Sequence, residues 1–341
     1  MQSHTSEFKL YDKIKLGCVP NLLISVLINS GYDIAPIGAM WPWEFILYEE
    51  STPDDPWDTY PVKLVKCVTG DTLSLLYGIS VKSMYFSDAG DIISAMSKHM
   101  QEGKRCIVAA DSYYTPYMYK HVYQHRHWAH ATMPLWFDEA NSQVYICSAD
   151  PPYQGNVLLK DFYTMVEKSN VYWLMTISVP PMPKTLDDKF VHEMFHKQLQ
   201  KTYDNYFVLE GHCKNVNYSD DLCNTWAKLR EIKDTGEQLK SFKELLKGDA
   251  GYYVHRKGQL LIEYLSTDYV RTLLQSPEEY IELVEQQNRL WKTVYNILYL
   301  AEGRNRIGDS LDKAINKMSL IIENEKTLLE KILHSMRRLA C

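Results

Sequence analysis

No stretch of the 341 residues approaches the roughly 18 consecutive apolar side chains that a membrane span needs. The start, MQSHTSEFKLYDKIKLGC, lacks the apolar run of a secretory leader, so the expectation is a cytoplasmic chain without a membrane partner. Cysteine is sparse. The seven residues Cys18, Cys67, Cys106, Cys147, Cys213, Cys223 and Cys341 contain no CxxC pair, which argues against a disulfide framework and against a cysteine-rich zinc site. Charge of one sign is lacking too: 37 basic residues against 43 acidic give a formal net charge of −6. Such a balance provides no general attraction to a polyanion, and nucleic acid is not an expected partner. Nucleotide-binding glycine patterns are missing, because no GxGxxG stands beside a strand and GDAGYYVHRKG lacks the lysine-serine or lysine-threonine ending of a phosphate loop.

What the chain does have is apolar and aromatic bulk, with 45% hydrophobic residues and 25 tyrosines. That excludes a disordered chain and suffices for one large core or two modest ones. GCVPNLLISVLINSGYDI reads as a buried helix, entered at Cys18 and stopped by a glycine, with Pro20 tolerable only in the first turn. From Trp41 to Asp71, prolines and an acidic cluster imply a loop region with short extended pieces. DAGDIISAMSKH should be a helix, followed by a strand from Arg105 to Ala110 with Asp111 at its end. Ala129 to Trp136 and Gln143 to Ala149 form a candidate hairpin; LLKDFYTMVEKS should be a helix and Val171 to Val179 a strand. Pro180 through Lys184 marks the expected domain boundary, beyond which apolar residues recur three or four apart and the chain should be mainly helical.

One combination of residues carries chemistry. A cysteine at a helix entrance gains thiolate character from the unpaired amides there, a histidine on a later strand can take and return its proton, and an aspartate at the end of the next strand can orient the ring. Cys18, His130 and Asp150 stand in that order. Each also has a plain structural role open to it: a small buried hydrophobe, a packed histidine, and a cap on the turn into Pro151 and Pro152. His121, His125, His127 and His130 crowd into ten positions, yet no acidic or cysteine ligand pattern accompanies them and no metal is expected.

The pieces GCVPNLLISVLINSGYDI, IVAADSYYTPYMYKHVYQHRHWAHATMPLWFDEANSQVYICSADPP and the helix near LLKDF resemble the N-terminal domain of the butirosin biosynthesis acyltransferase family, a group of papain-like cysteine enzymes. The resemblance spans roughly residues 10 to 180. It implies an α+β fold class, with a papain-like catalytic domain over residues 1–180 and a predominantly helical accessory or carrier-binding domain over residues 184–341. It places the nucleophile at Cys18, the base at His130 and the orienting carboxylate at Asp150. Family enzymes move an acyl group from a carrier-protein thioester to an amine in specialised metabolism, so the implied partners are an acyl or peptidyl carrier protein and a small-molecule amine acceptor. No cofactor would be bound directly, and phosphopantetheine would arrive on the carrier. The DSYYTPY segment, with Asp111, Tyr113, Tyr114, Pro116 and Tyr117, is similar to a characteristic family segment; with Trp41, Trp43 and Trp128 it supplies candidate substrate-binding surfaces. PIGAMWPWEF departs from the family by lacking its glycine-rich stretch. A cysteine hydrolase and a noncatalytic binding protein stay as alternatives, and apolar stripes in the helical half would serve packing, a homo-oligomeric interface or carrier docking.

Overall fold

The computed structural model describes residues 8–14, 16–40, 45–47, 62–64, 70–181, 186–204, 254–274, 276–304 and 307–339. In chain order these hold helices α1 (Cys18–Asn29) and α2 (Ala35–Ala39), short strands β1 (Phe45–Leu47) and β2 (Val62–Leu64), and helix α3 (Gly70–Tyr77). Strand β3 (Ser80–Tyr85), helix α4 (Ala89–Gln101) and strand β4 (Arg105–Asp111) come next. A 3-10 turn, Ser112–Tyr114, leads to strands β5 (Ala129–Asp138), β6 (Gln143–Ala149) and β7 (Pro152–Leu158), helix α5 (Leu159–Glu167) and strand β8 (Trp173–Ser178). The remaining described elements are helices: α6 (Asp188–Tyr203), α7 (Val254–Leu265), α8 (Asp268–Leu273), α9 (Pro277–Arg304) and α10 (Ile307–Leu339). The architecture is mixed, an open antiparallel sheet with helices and a separate helical region. No helix among the described residues is long and apolar enough to cross a membrane.

The chain divides into two units, Met1–Ile34 with Val68–Leu186 and Ala35–Cys67 with Asp187–Cys341. The first holds the six-stranded sheet, in the order β3-β8-β4-β5-β6-β7 with every neighbouring pair antiparallel. Its central strands β4, β5 and β6 are buried on both faces, and the pairing register assigns each side chain to one of them. On one face Cys106, Val108, Ala110, Val144 and Ile146 form a core with Ile92 and Met96 of α4 and Phe162, Met165 and Val166 of α5. On the other, Ile107, Ala109, Ala131, Met133 and Cys147 are equally inaccessible. That second face is covered by α1, which packs on β4, β5 and β6 and contributes nothing to the first core.

Helix α1 is buried nearly all round, through Leu22, Leu23, Ile24, Val26 and Leu27, as its almost uninterrupted apolar sequence requires. Pro20 sits in its first turn, where a missing N–H costs nothing, and the Tyr32 amide closes the far end on the Leu27 carbonyl at 3.1 Å. The direction of α1 follows from two contacts. Lys9 exchanges backbone hydrogen bonds of 2.8 Å with the Asn29 amide at the helix C-terminus, and the ring of nearby Phe8 lies 6.0 Å beneath the Arg105 guanidinium at the start of β4. Twelve residues span about 18 Å, so the N-terminus of α1 lies toward the other end of the sheet, where β4 and β6 finish and β5 begins.

In the second unit, the Trp41 to Asp71 stretch, expected to be loop with short extended pieces, contains the β1–β2 pair, and α2 precedes it. Helix α2 packs directly on α7. A Cβ at Gly38 would collide with the Leu260 carbonyl and lie 2.8 Å from the Tyr264 Cβ, so glycine is what lets the two backbones meet. Gly38→Ala is expected to destabilise this unit by about 1–3 kcal/mol through overpacking, read as a lower urea midpoint for the full chain.

Candidate active site

Cys18 is the first residue of α1, and no side chain caps the helix start. The preceding Gly17 has φ 117°, a conformation that side-chain-bearing residues avoid, and this turn brings the chain into the helix. Asn21, one turn on, holds the approach: its side-chain oxygen accepts from the Leu16 amide at 2.7 Å, and its amide group donates to the carbonyls of Tyr11 at 3.1 Å and Ile14 at 2.6 Å. The side chain is buried, so every one of these bonds would leave an unsatisfied backbone group if lost. Asn21→Ala is expected to cost about 3 kcal/mol and to slow modification of the Cys18 thiol, because the loop in front of it loses its anchor; urea unfolding and alkylation kinetics measure the two effects.

The described cysteines differ in character. Cys18 is half-buried, whereas Cys106 and Cys147 are inaccessible and burial pushes each thiol up to about 12. Those two remain protonated and inert near neutral pH.

His130 lies on β5 opposite Ala110 of β4, with Thr132 opposite Val108. Paired residues of antiparallel strands share a face, so its ring belongs to the α5 side of the sheet. Its Nε2 lies 3.0 Å from the Ser148 hydroxyl, which spends its own proton on the Pro151 carbonyl at 2.9 Å. The hydroxyl can therefore only accept, and Nε2 carries the ring proton. The Tyr117 ring meets the imidazole edge-on at 5.9 Å and stacks on Tyr153 at 4.5 Å. Burial leaves His130 3% exposed and lowers its pKa to about 4, which makes it a neutral imidazole.

The expected triad had His130 meeting Cys18 and oriented by Asp150. The register instead turns His130 to the face opposite the one α1 covers, and its orienting partner is Ser148. Asp150, half-buried just beyond β6, accepts a 3.0 Å hydrogen bond from the Tyr119 hydroxyl.

A second imidazole stands at the same end of the sheet. Asp111 ends β4 in line with Ile107 and Ala109, on the face of α1, and is 4% exposed. One of its oxygens accepts from the Tyr113 amide at 2.9 Å and the other lies 2.8 Å from His127 Nδ1. The His127 ring stacks flat on Tyr113, 4.4 Å between centroids and 6° between planes, with Tyr114 beside it at 6.0 Å. Ser112 locks the loop in place: its amide donates to the Trp128 carbonyl, its hydroxyl donates to the Arg126 carbonyl, and the same oxygen accepts from the Trp128 amide. Trp128 is 47% exposed with the Arg126 guanidinium 5.2 Å over its ring.

Of the substrate-surface candidates, Asp111, Tyr113, Tyr114 and Trp128 thus surround His127, and Tyr117 packs against His130; Trp41 and Trp43 lie outside the described residues. Sequence reasoning missed Asn21, Ser148, Tyr119 and the His127 pairing. The last had a signal: an aspartate ending one strand and a histidine entering the next antiparallel strand meet at the same sheet edge. Among the described residues no group of three or more histidine, cysteine, aspartate or glutamate side chains is placed to hold a metal ion. No family model matches the chain, and no curated protein matches it.

Proposed function

We propose that the first unit is a cysteine-dependent acyltransferase that takes an acyl group from a carrier-bound thioester onto Cys18 and passes it to an amine. The observation that carries this reading is the setting of Cys18: a half-buried thiol opening a buried helix without a side-chain cap, at the end of the sheet that also bears the imidazoles, while two other thiols of the same unit are sealed and inert. A helix N-terminus favours negative charge, first on the sulfur and then on the oxygen of a tetrahedral intermediate. In the first half-reaction the sulfur bonds to the thioester carbonyl carbon, the bond from that carbon to the carrier sulfur breaks, and the thiol proton ends on the departing carrier thiol. In the second, the amine nitrogen bonds to the acyl carbon, the bond to Cys18 breaks, and the sulfur recovers a proton from the amine.

The resemblance of residues 10–180 to the butirosin acyltransferase family supplies the donor class, a phosphopantetheine thioester on an acyl or peptidyl carrier, the amine acceptor and the papain-like character of the catalytic core. The test is intact mass after incubation with a panel of acyl thioesters of N-acetylcysteamine and of phosphopantetheine. The expected result is one acyl adduct, mapped to Cys18 and discharged to an amide when a primary amine is added. Discharge only to free acid, with and without amines, would make the protein a hydrolase; no adduct across the panel would reject the reading.

A further inference from the structure

The geometry points to His127 and Asp111 as the acid–base pair that serves Cys18, in place of any group in the sheet interior; this rests on the acyl-transfer reading. Three observations converge on it. Asp111 is on the sheet face that α1 covers, whereas His130 is on the opposite face, 3% exposed and with its ring enclosed by the Tyr117 packing. The direction of α1 carries its N-terminus, and with it Cys18, toward the end of the sheet where β4 and β6 finish and β5 begins, the end that also bears Asp111 and His127. Finally, the pair is built as a base has to be. A carboxylate has no proton to give, so the 2.8 Å contact fixes the Nδ1–H tautomer of His127 and leaves Nε2 with its lone pair. The Asp111 side chain is 5% exposed while that of His127 is 54% exposed, a shielded anchor holding an accessible ring. Stacking on Tyr113 fixes the ring plane, and the Tyr113 amide holds the second carboxylate oxygen, so the dyad has little freedom to rotate.

In this arrangement the Cys18 proton passes to His127 Nε2 as sulfur attacks the thioester carbonyl, and the imidazolium, stabilised by Asp111, returns it to the leaving thiol sulfur. In the second half the same nitrogen takes the proton of the attacking amine and gives it to the Cys18 sulfur as the acyl bond breaks. His127 touches the reacting atoms; Asp111 acts through it as a positioning residue.

The experiment compares wild type, His127→Ala, Asp111→Asn and His130→Gln in the full chain by two readouts. The first is the rate at which iodoacetamide modifies Cys18 at pH 7, followed by peptide mass, which needs no substrate. The second is the rate of adduct formation with whichever N-acetylcysteamine thioester the wild type accepts. His127→Ala is expected to slow both at least tenfold, with added imidazole restoring part of the loss, and Asp111→Asn to slow both while folding is kept. A folded His130→Gln is expected to stay within threefold of wild type. Equal rates for His127→Ala and wild type overturn the inference, as does a folded His130→Gln that has lost both reactions. If the wild type accepts no thioester yet alkylation still depends on His127, the dyad stands and the acyl-transfer reading falls. Because His127 is a half-exposed loop residue, its variant tests the dyad even where the buried His130 variant does not fold.

Discussion

A Cys18→Ala variant is expected to form no acyl adduct and to lose thioester turnover by about four orders of magnitude or more, since no other group can hold the acyl chain between the two halves of the reaction. Its stability should hardly move, because the thiol is only half-buried and truncating it leaves little cavity. The controls are within the same unit. Cys106 sits in the core beneath α4 and α5 and Cys147 on the other face of the sheet, both inaccessible and both with thiols held near a pKa of 12. Cys106→Ala and Cys147→Ala should each reduce stability by about 1 kcal/mol through lost packing and leave the mass of the acyl adduct unchanged. Full turnover by Cys18→Ala, or an adduct mapped to either sealed thiol, would remove the nucleophile from the proposal.

Acid should destabilise the first unit through His130. The folded protein holds this ring neutral down to about pH 4, while in the unfolded chain it takes up its proton near 6.5. Between those values the unfolded state binds the extra proton. The contribution of the neutral buried ring is therefore fully present above pH 6.5 and is lost as pH falls to 4; the gap corresponds to about 3 kcal/mol. A His130→Gln variant cannot take part in this exchange, so its unfolding free energy should fall less steeply over that window. Urea unfolding of both proteins at several pH values from 7.5 to 4 gives the comparison, and other titrating groups, among them His192 with its pKa also lowered by burial, cancel in the difference. Parallel curves would mean that the ring is hydrated or charged in the native state, and would reopen His130 as an accessible base.

Much of the local structure was legible. The α1 helix begins at the cysteine and ends before the glycine that the apolar pattern implied; the strands ending at Asp111 and Ala149, the β5–β6 hairpin and helix α5 all lie where alternation and turn residues placed them. Among the described residues, the helical character of the chain after residue 188 followed from the 3.6-residue period. The short elements between Ala35 and Leu64 were less legible, because prolines and acids announce a break but not which unit the elements around it will join; Gly38 fitting against Leu260 settles that for α2. One unit boundary falls at Leu186, a few residues past the proline cluster, and two more, after Ile34 and after Cys67, set off the Ala35–Cys67 segment that joins the second unit.

The order of residues alone specifies which side chains have chemistry to offer and at which element ends they stand: a thiol at a helix mouth, histidines at the entry to one strand, aspartates at the exits of two others. Which of them share a face is set by how the strands pair. A strand exposes alternate side chains to opposite sides, so pairing Ala110 with His130, not with a neighbour one position away, is what sends that ring toward α5 and leaves Asp111, joined to His127, on the side of α1. That choice is made by hydrogen bonding and burial between strands distant in the chain, and no local pattern of residues encodes it.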